Sequence, residues 1–165
     1  MSIERLGDLG ERIVAEYFEQ TGSLVELSTN PFDGEKDMNI NRVQTEVQFE
    51  TIMHFFRPDP NKPPYPAFTV PITKKDGTVF RNQLNKRLYA ERWIIVQNPS
   101  NRWNEKFIRL WEAPPVGQRH FQIQRNKHDG RYIAGFPLSS FTKIVDIHNE
   151  ALYNRIKQLD ISEFS

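Results

Sequence analysis

The 165-residue chain contains no cysteine. This excludes a disulfide framework and any metal site built on thiolates. It also has no run of about 18 apolar residues, so no helical membrane span is expected. The opening "MSIERLGDLGERIV" lacks the charged-then-apolar layout of a secretion signal, and a soluble cytoplasmic protein is the expectation. Zinc-ligand spacing is missing: the four histidines, 54, 120, 128 and 148, are scattered. There is no Gly-rich phosphate loop, since Gly7 and Gly10 fall inside a helical pattern. A Ser-His-Asp order is not legible either.

The residues present have a modest apolar content of 38%, enough for one core at this length, so residues 1–165 are read as one domain. Aromatic residues make up 12% and must carry much of the burial; Trp93, Trp103 and Trp111 are read as core. The net charge of +1 hides a split. Residues 1–60 hold five Lys and Arg against twelve Asp and Glu, a balance of −7; residues 61–165 hold seventeen against nine, a balance of +8. Such segregation suits an acidic, cation-holding centre beside a basic, phosphate-holding surface. Two solvated faces of opposite sign are the plain alternative.

Periodicity predicts an amphipathic helix over 4–20, with Leu6, Gly10, Ile13, Val14, Tyr17 and Phe18 on its apolar side, stopped by Gly22. Short strands are expected at 23–27, 37–41 and 43–49. "RPDPNKPPYP" is too proline-rich for a helix or central strand and reads as a surface excursion. "FTVPITKKDGTVF" reads as a hairpin insertion turning at Lys75-Asp76-Gly77. A helix is expected over 81–90. "RWIIVQ" is a strand needing cover on both faces, and "KFIRLWEA" is another strand. Residues 119–147 look mainly β, with turns at Asp129-Gly130 and Phe136-Pro137, before a helix over 148–159. A mixed sheet covered by helices follows from this order.

"DMNINRVQTEVQFET", residues 37–51, concentrates the chemistry. Strand side chains alternate faces. Met38 and Ile40 share one face with Val43, Thr45, Val47 and Phe49 if the strands pair across Asn41-Arg42. The opposite face then gathers Asp37, Gln44, Glu46 and Gln48. Carboxylates brought close repel unless a cation lies between them, and hard oxygen ligands suit Mg²⁺ or Mn²⁺. Glu11, at the edge of the first helix's apolar stripe, either snorkels to solvent or serves the site.

With "GDLGERIVAEYF", "FDGEKDMNI", "TEVQFET" and "RWIIVQ" in that order, the chain resembles the PD-(D/E)XK nuclease superfamily, in particular its small members related to Holliday-junction resolvases and restriction endonucleases. The resemblance covers roughly residues 4–97, extending toward 112. It implies an α/β (α+β) fold with a restriction-endonuclease-like α-β-β-β-α-β core over 4–112. Residues 113–165 would form a β-rich extension ending in a helix. It further implies a Mg²⁺- or Mn²⁺-dependent deoxyribonuclease, an endonuclease in type. Asp37, Glu46 and the Val47 carbonyl would hold the metal, and Glu11 would serve as an accessory acid. Gln48 stands where the family carries a lysine. It can position a water by hydrogen bonding but brings no charge. Lys86 is the first candidate to supply that charge. Asp37 is preferred over Asp33, whose Asp-Gly pair reads as a turn. Lys74, Lys75, Arg81, Lys86 and Arg87 are candidate DNA-phosphate contacts, with Asn82, Gln83 and Asn85 beside them. Arg119, Arg125, Lys127 and Arg131 form a second basic cluster. Dimerisation is common in enzymes that cut two strands, though no interface signal is visible here. Two rival readings are a catalytically inactive nuclease fold that binds DNA or protein, and an unrelated α+β interaction protein whose acids are ordinary surface groups.

Overall fold

A computed structural model describes residues 6–27, 38–50, 54–74, 76–79, 83–97, 107–126 and 129–164, with side chains described up to residue 158. The first element is helix α1 (Leu6–Gln20), which buries Leu6, Leu9, Ile13, Val14 and Phe18 along one stripe. It ends in a Schellman motif. Gly22 takes φ +93°, its N–H donates to the Glu19 carbonyl at 3.1 Å, and the Ser23 N–H donates to the Phe18 carbonyl at 2.8 Å.

Strands β1 (Val25–Leu27), β2 (Met38–Ile40) and β3 (Val43–Glu50) pair antiparallel in succession. Met38 opposes Thr45 and Ile40 opposes Val43, which is the expected hairpin register. Its two-residue turn places Asn41 and Arg42 at φ 51° and 67°, as a right-twisted hairpin requires. Asn41 suits that conformation and also fastens β1, its side-chain oxygen accepting from the Leu24 N–H at 2.9 Å. Arg42 carries a Cβ in a region that favours glycine.

The chain then leaves this sheet. Strands β4 (His54–Phe56) and β5 (Tyr65–Pro71) pair with each other, and helix α2 (Gln83–Tyr89) leads into β6 (Arg92–Gln97), which returns parallel to β3. Strand β7 (Ile108–Glu112) pairs antiparallel with β6. Strands β8 (Gln122–Arg125) and β9 (Tyr132–Pro137) are followed by β10 (Thr142–Ile147) and helix α3 (Glu150–Phe164). Two sheets result: a mixed six-stranded sheet, β1-β2-β3-β6-β7-β10, and an antiparallel four-stranded sheet, β4-β5-β9-β8.

Strand β6 joins two cores. Ile94 and Val96 face α1 and α3 together with Met38, Ile40, Ile108 and Leu110. Trp93 and Ile95 face the second sheet, meeting Phe68, Val70, Ala134 and Phe136. Trp93 lies edge-on to Phe136, ring centroids 4.9 Å apart. All four of these β6 side chains are fully buried, as the unbroken apolar run requires.

Several expectations on the insertion are corrected. The chain holds a second sheet where one covered sheet was expected. The stretch from Phe68 does not fold back on itself; β5 pairs with β9, Phe68 opposing Phe136, and only a small bridge between Thr73 and Val79 closes the turn near Gly77. Phe68 and Val70 need apolar cover, and partners some 65 residues later supply it better than the polar "TKKDGT" segment. The proline-rich excursion ends inside β5, where Pro66 opposes Phe55 on the side of β4. Phe136-Pro137 is the end of β9, not a turn, because Phe136 is needed in the core. Gly135 permits another close contact: a Cβ there would lie 2.7 Å from the Phe56 ring.

Arg42→Gly is expected to raise stability by about 0.5–1 kcal/mol by relieving the left-handed backbone. Urea unfolding midpoints of the two proteins measure it, and a lower midpoint for the glycine variant would contradict the turn assignment.

Candidate functional site

The side chains of β3 divide between two environments. Val47 and Phe49 pack toward α1, where the missing Cβ of Gly10 leaves room for the Phe49 ring. Glu46, Gln48 and Glu50 alternate with them and point to the other side of the sheet. Their neighbours on β6 are Trp93, Ile95 and Gln97.

Arg87 enters this row from α2. Its Nε donates to Gln48 Oε1 at 3.2 Å, and a terminal nitrogen lies 3.6 Å from Glu46 Oε1. Gln83, one turn earlier, accepts from the other terminal nitrogen at 2.6 Å. The Arg87 side chain is only 14% exposed and that of Glu46 25%, so their attraction is less screened than at an open surface.

Gln48 completes the row. Its Nε2 donates to Glu50 Oε1 at 2.5 Å and to the Thr69 carbonyl of β5 at 3.0 Å. The amide therefore spans from the first sheet to the second. Glu50 is half-buried, and its partial loss of solvation raises its pKa from 4.5 to about 7; hydrogen bonds from Gln48 and the Thr69 backbone and the charge of Arg87 pull the other way.

The position of Arg87 depends on a second arginine. Arg119 is buried, and its guanidinium donates to the carbonyls of Arg87 at 2.8 Å, Ala90 at 2.6 Å and Pro114 at 2.7 Å, with longer contacts to Leu88 and Glu91. These include the orphan carbonyls at the end of α2. Arg119 is therefore a clamp inside the protein, which corrects its reading as part of a basic surface cluster. Of that cluster, Arg131 is paired with Asp129 at 2.7 Å, Arg125 is exposed, and Lys127 lies outside the described residues.

The other sequence candidates divide as follows. Glu11 is half-buried on α1, the helix covering the Val47–Phe49 face, opposite the face that carries Glu46. Asp37 and Asp33 lie outside the described residues, as do Lys75, Arg81 and Asn82. Val47 lies in the β3–β6 ladder opposite Ile94. Lys74 is exposed near the Gly77 turn, and Lys86 is half-buried on α2. Among the described residues, no three His, Asp or Glu side chains are grouped so that they could hold a metal ion. Trp93 is core, as expected; Trp111 is partly buried, its indole N–H donating to Gln97 at 2.8 Å; and Trp103 lies outside the described residues.

Glu50 is the residue the sequence reading missed. The strand was expected to end at Phe49; one more residue of alternation would have placed a second glutamate on the face of Glu46. The position of Arg87 was not legible, because it depends on the seating of α2 by Arg119.

A glutamate whose folded pKa exceeds its unfolded value binds more protons when folded, so its contribution to stability falls as pH rises from 4.5 to about 7. Glu50→Gln should therefore gain stability over wild type through that window, by at most about 3 kcal/mol above it, and match wild type below it. Unfolding midpoints from pH 4 to 8 would show a constant offset if Glu50 were not desolvated. Arg119→Lys, which cannot reproduce the planar fork, should cost about 2–4 kcal/mol in denaturant unfolding; a surface-like change under 0.5 kcal/mol would contradict the clamp.

No protein-family model, curated protein or solved structure matches this chain.

Proposed function

We propose that the protein is a metal-dependent phosphodiester hydrolase acting on DNA, an endonuclease in type. The observation that carries this reading is the row of Glu46 and Gln48 on central strand β3, met by Arg87 from the helix that precedes the parallel strand β6. The order α1, β1, β2, β3, α2, β6 is the one the nuclease resemblance implies, with β4 and β5 inserted before α2.

Glu46 provides a half-buried carboxylate, and Glu50 a second one on the same face of β3. Oxygen donors of this kind suit Mg²⁺ or Mn²⁺. The described residues supply no third acid within this group, and Glu11 lies across the sheet from it, so the fit rests on Asp37 from the segment outside them, with Val47 contributing its carbonyl. A bound ion would lower the pKa of its water and polarise the phosphoryl oxygen.

The chain's own residues have distinct tasks in this scheme. Gln48 is held by Arg87, Glu50 and the Thr69 carbonyl, so its amide is oriented before substrate arrives. Arg87 brings the positive charge that Gln48 lacks and stands in for the cation expected from Lys86. An arginine in a poorly screened setting can bind a phosphate through two parallel hydrogen bonds. Lys74 and Lys86, with Lys75 and Arg81, contribute sequence-neutral phosphate attraction.

A second reading is favoured by one feature. Arg87 already neutralises Glu46, which is the arrangement of a nuclease-like fold that binds DNA without cutting it. Incubation of supercoiled, linear and branched DNA with Mg²⁺, Mn²⁺ or EDTA separates the two. The hydrolase reading expects cleavage with metal only, reduced at least a hundredfold in folded Glu46→Ala, a loss of about 2.7 kcal/mol of barrier stabilisation. Salt-dependent DNA binding with no product would select the binding module, and full activity in Glu46→Ala would remove the proposed site.

A further inference from the structure

The second sheet carries a cleft of about 280 Å³ between β4, at His54–Phe56, and the end of β8, at Gln124 and Asn126, with Thr69 and Ile133 on its floor. We propose that this cleft receives one extended peptide strand of a partner protein. The peptide pairs through its main chain with the open edge of β4 at Phe55, and carries apolar and acidic side chains by turns on the face beside the Phe55 ring. This docking is independent of the DNA-hydrolase reading.

The strand register fixes which part of Phe55 meets the cleft. Phe55 opposes Pro66, which shares a face of β5 with Phe68 and Val70, so the Phe55 ring lies on the Trp93 side of the sheet. His54, Thr69, Gln124 and Ile133 lie on the other face. Phe55 therefore lines the cleft with its main chain. Two residues on, the Arg57 N–H turns away from β5 and donates to Gln124 Oε1 at 2.8 Å. Main-chain groups of a strand change sides at each residue, so the Phe55 N–H and C=O point the same way, into the cleft. Among the described residues no strand pairs with that edge of β4, which is the outer strand of its sheet.

A donor and an acceptor presented by one edge residue are the pair that an extended peptide satisfies. A phosphate would accept from the N–H and be repelled by the carbonyl oxygen beside it. Gln124 and Asn126 stand across the cleft from Phe55, so it admits a single chain and not the edge of a folded sheet such as a second copy would bring. The width agrees. The Gln124 side chain closes the gap at Arg57, and an amide of that length with its hydrogen bond spans roughly the space of one strand set about 4.8 Å from each neighbour. Side chains set the sequence of the guest. Phe55 is 64% exposed, and a strand paired beside it covers the ring with an apolar residue. Arg57 follows Phe55 by two residues, and Arg125 opposes Tyr132 on the same side of the sheet, so the guest residue two places along that face is acidic.

The test uses the full chain in EDTA and a fluorescein-labelled octapeptide with valine and glutamate by turns on one face and threonine on the other, read by fluorescence anisotropy. Wild type should bind it, and N-methylation of the peptide main chain, which removes its donors, should weaken binding about tenfold. Phe55→Pro removes the edge donor at a position where proline spares the β5 ladder; checked by thermal melting, it should also weaken binding about tenfold. Arg125→Glu should weaken binding of this peptide and strengthen that of its lysine-for-glutamate counterpart. Equal affinity of wild type for the N-methylated and unmodified peptides overturns the proposal, whether or not Phe55→Pro folds. So does a wild type that fails to bind the octapeptide, or that binds the lysine peptide equally well. Displacement of the octapeptide by oligothymidylate would assign the edge to nucleic acid and overturn it too.

Discussion

Strand β6 must be covered on both faces, and much of the architecture follows from that constraint. Four consecutive apolar side chains cannot be satisfied by one layer. Helices α1 and α3 bury Ile94 and Val96 from one side. The other side, Trp93 and Ile95, is covered by a second sheet whose strands come from two distant parts of the chain. The insertion after β3 and the β-rich tail, which look like separate additions in the sequence, are one layer in space. Aromatic edge contacts among Trp93, Phe136, Phe141 and Phe68 fill the gap between the sheets.

That second layer also creates the polar row. Glu46, Gln48 and Glu50 lie on the same face of the first sheet as Trp93 and Ile95, and would face solvent if the sheet were bare. The second sheet and α2 bring them a backbone carbonyl at Thr69 and a guanidinium at Arg87. Burial makes each charge matter more: it raises the pKa of Glu50 and reduces the screening of Arg87 against Glu46. Arg119 underlies the arrangement. By taking the last carbonyls of a two-turn helix, it holds α2 where Arg87 can reach β3. A helix of this length has little stability by itself.

Local patterns were legible wherever a residue's neighbours in sequence are its neighbours in space. The stripe of α1, its stop at Gly22, the Asn41-Arg42 hairpin with its register, and the two-sided burial of β6 all follow from short-range rules. Patterns failed where long-range contact outweighed local preference. Pro66 sits in a strand because only one edge is paired there, and Phe136-Pro137 extends as strand because the core needs Phe136. Arg119 looked like a surface cation among others because sequence does not show that five carbonyls converge on it.

What the sequence determined by itself is the alternation on β3: it places Glu46 and Gln48 on one face and Val47 and Phe49 on the other, because a strand repeats every two residues. Tertiary structure decided what those polar groups meet. The partners of the row, Arg87 and the Thr69 carbonyl, stand 39 and 21 residues from Gln48. They arrive there through burial of apolar faces far from the row, and no periodicity within β3 encodes that encounter.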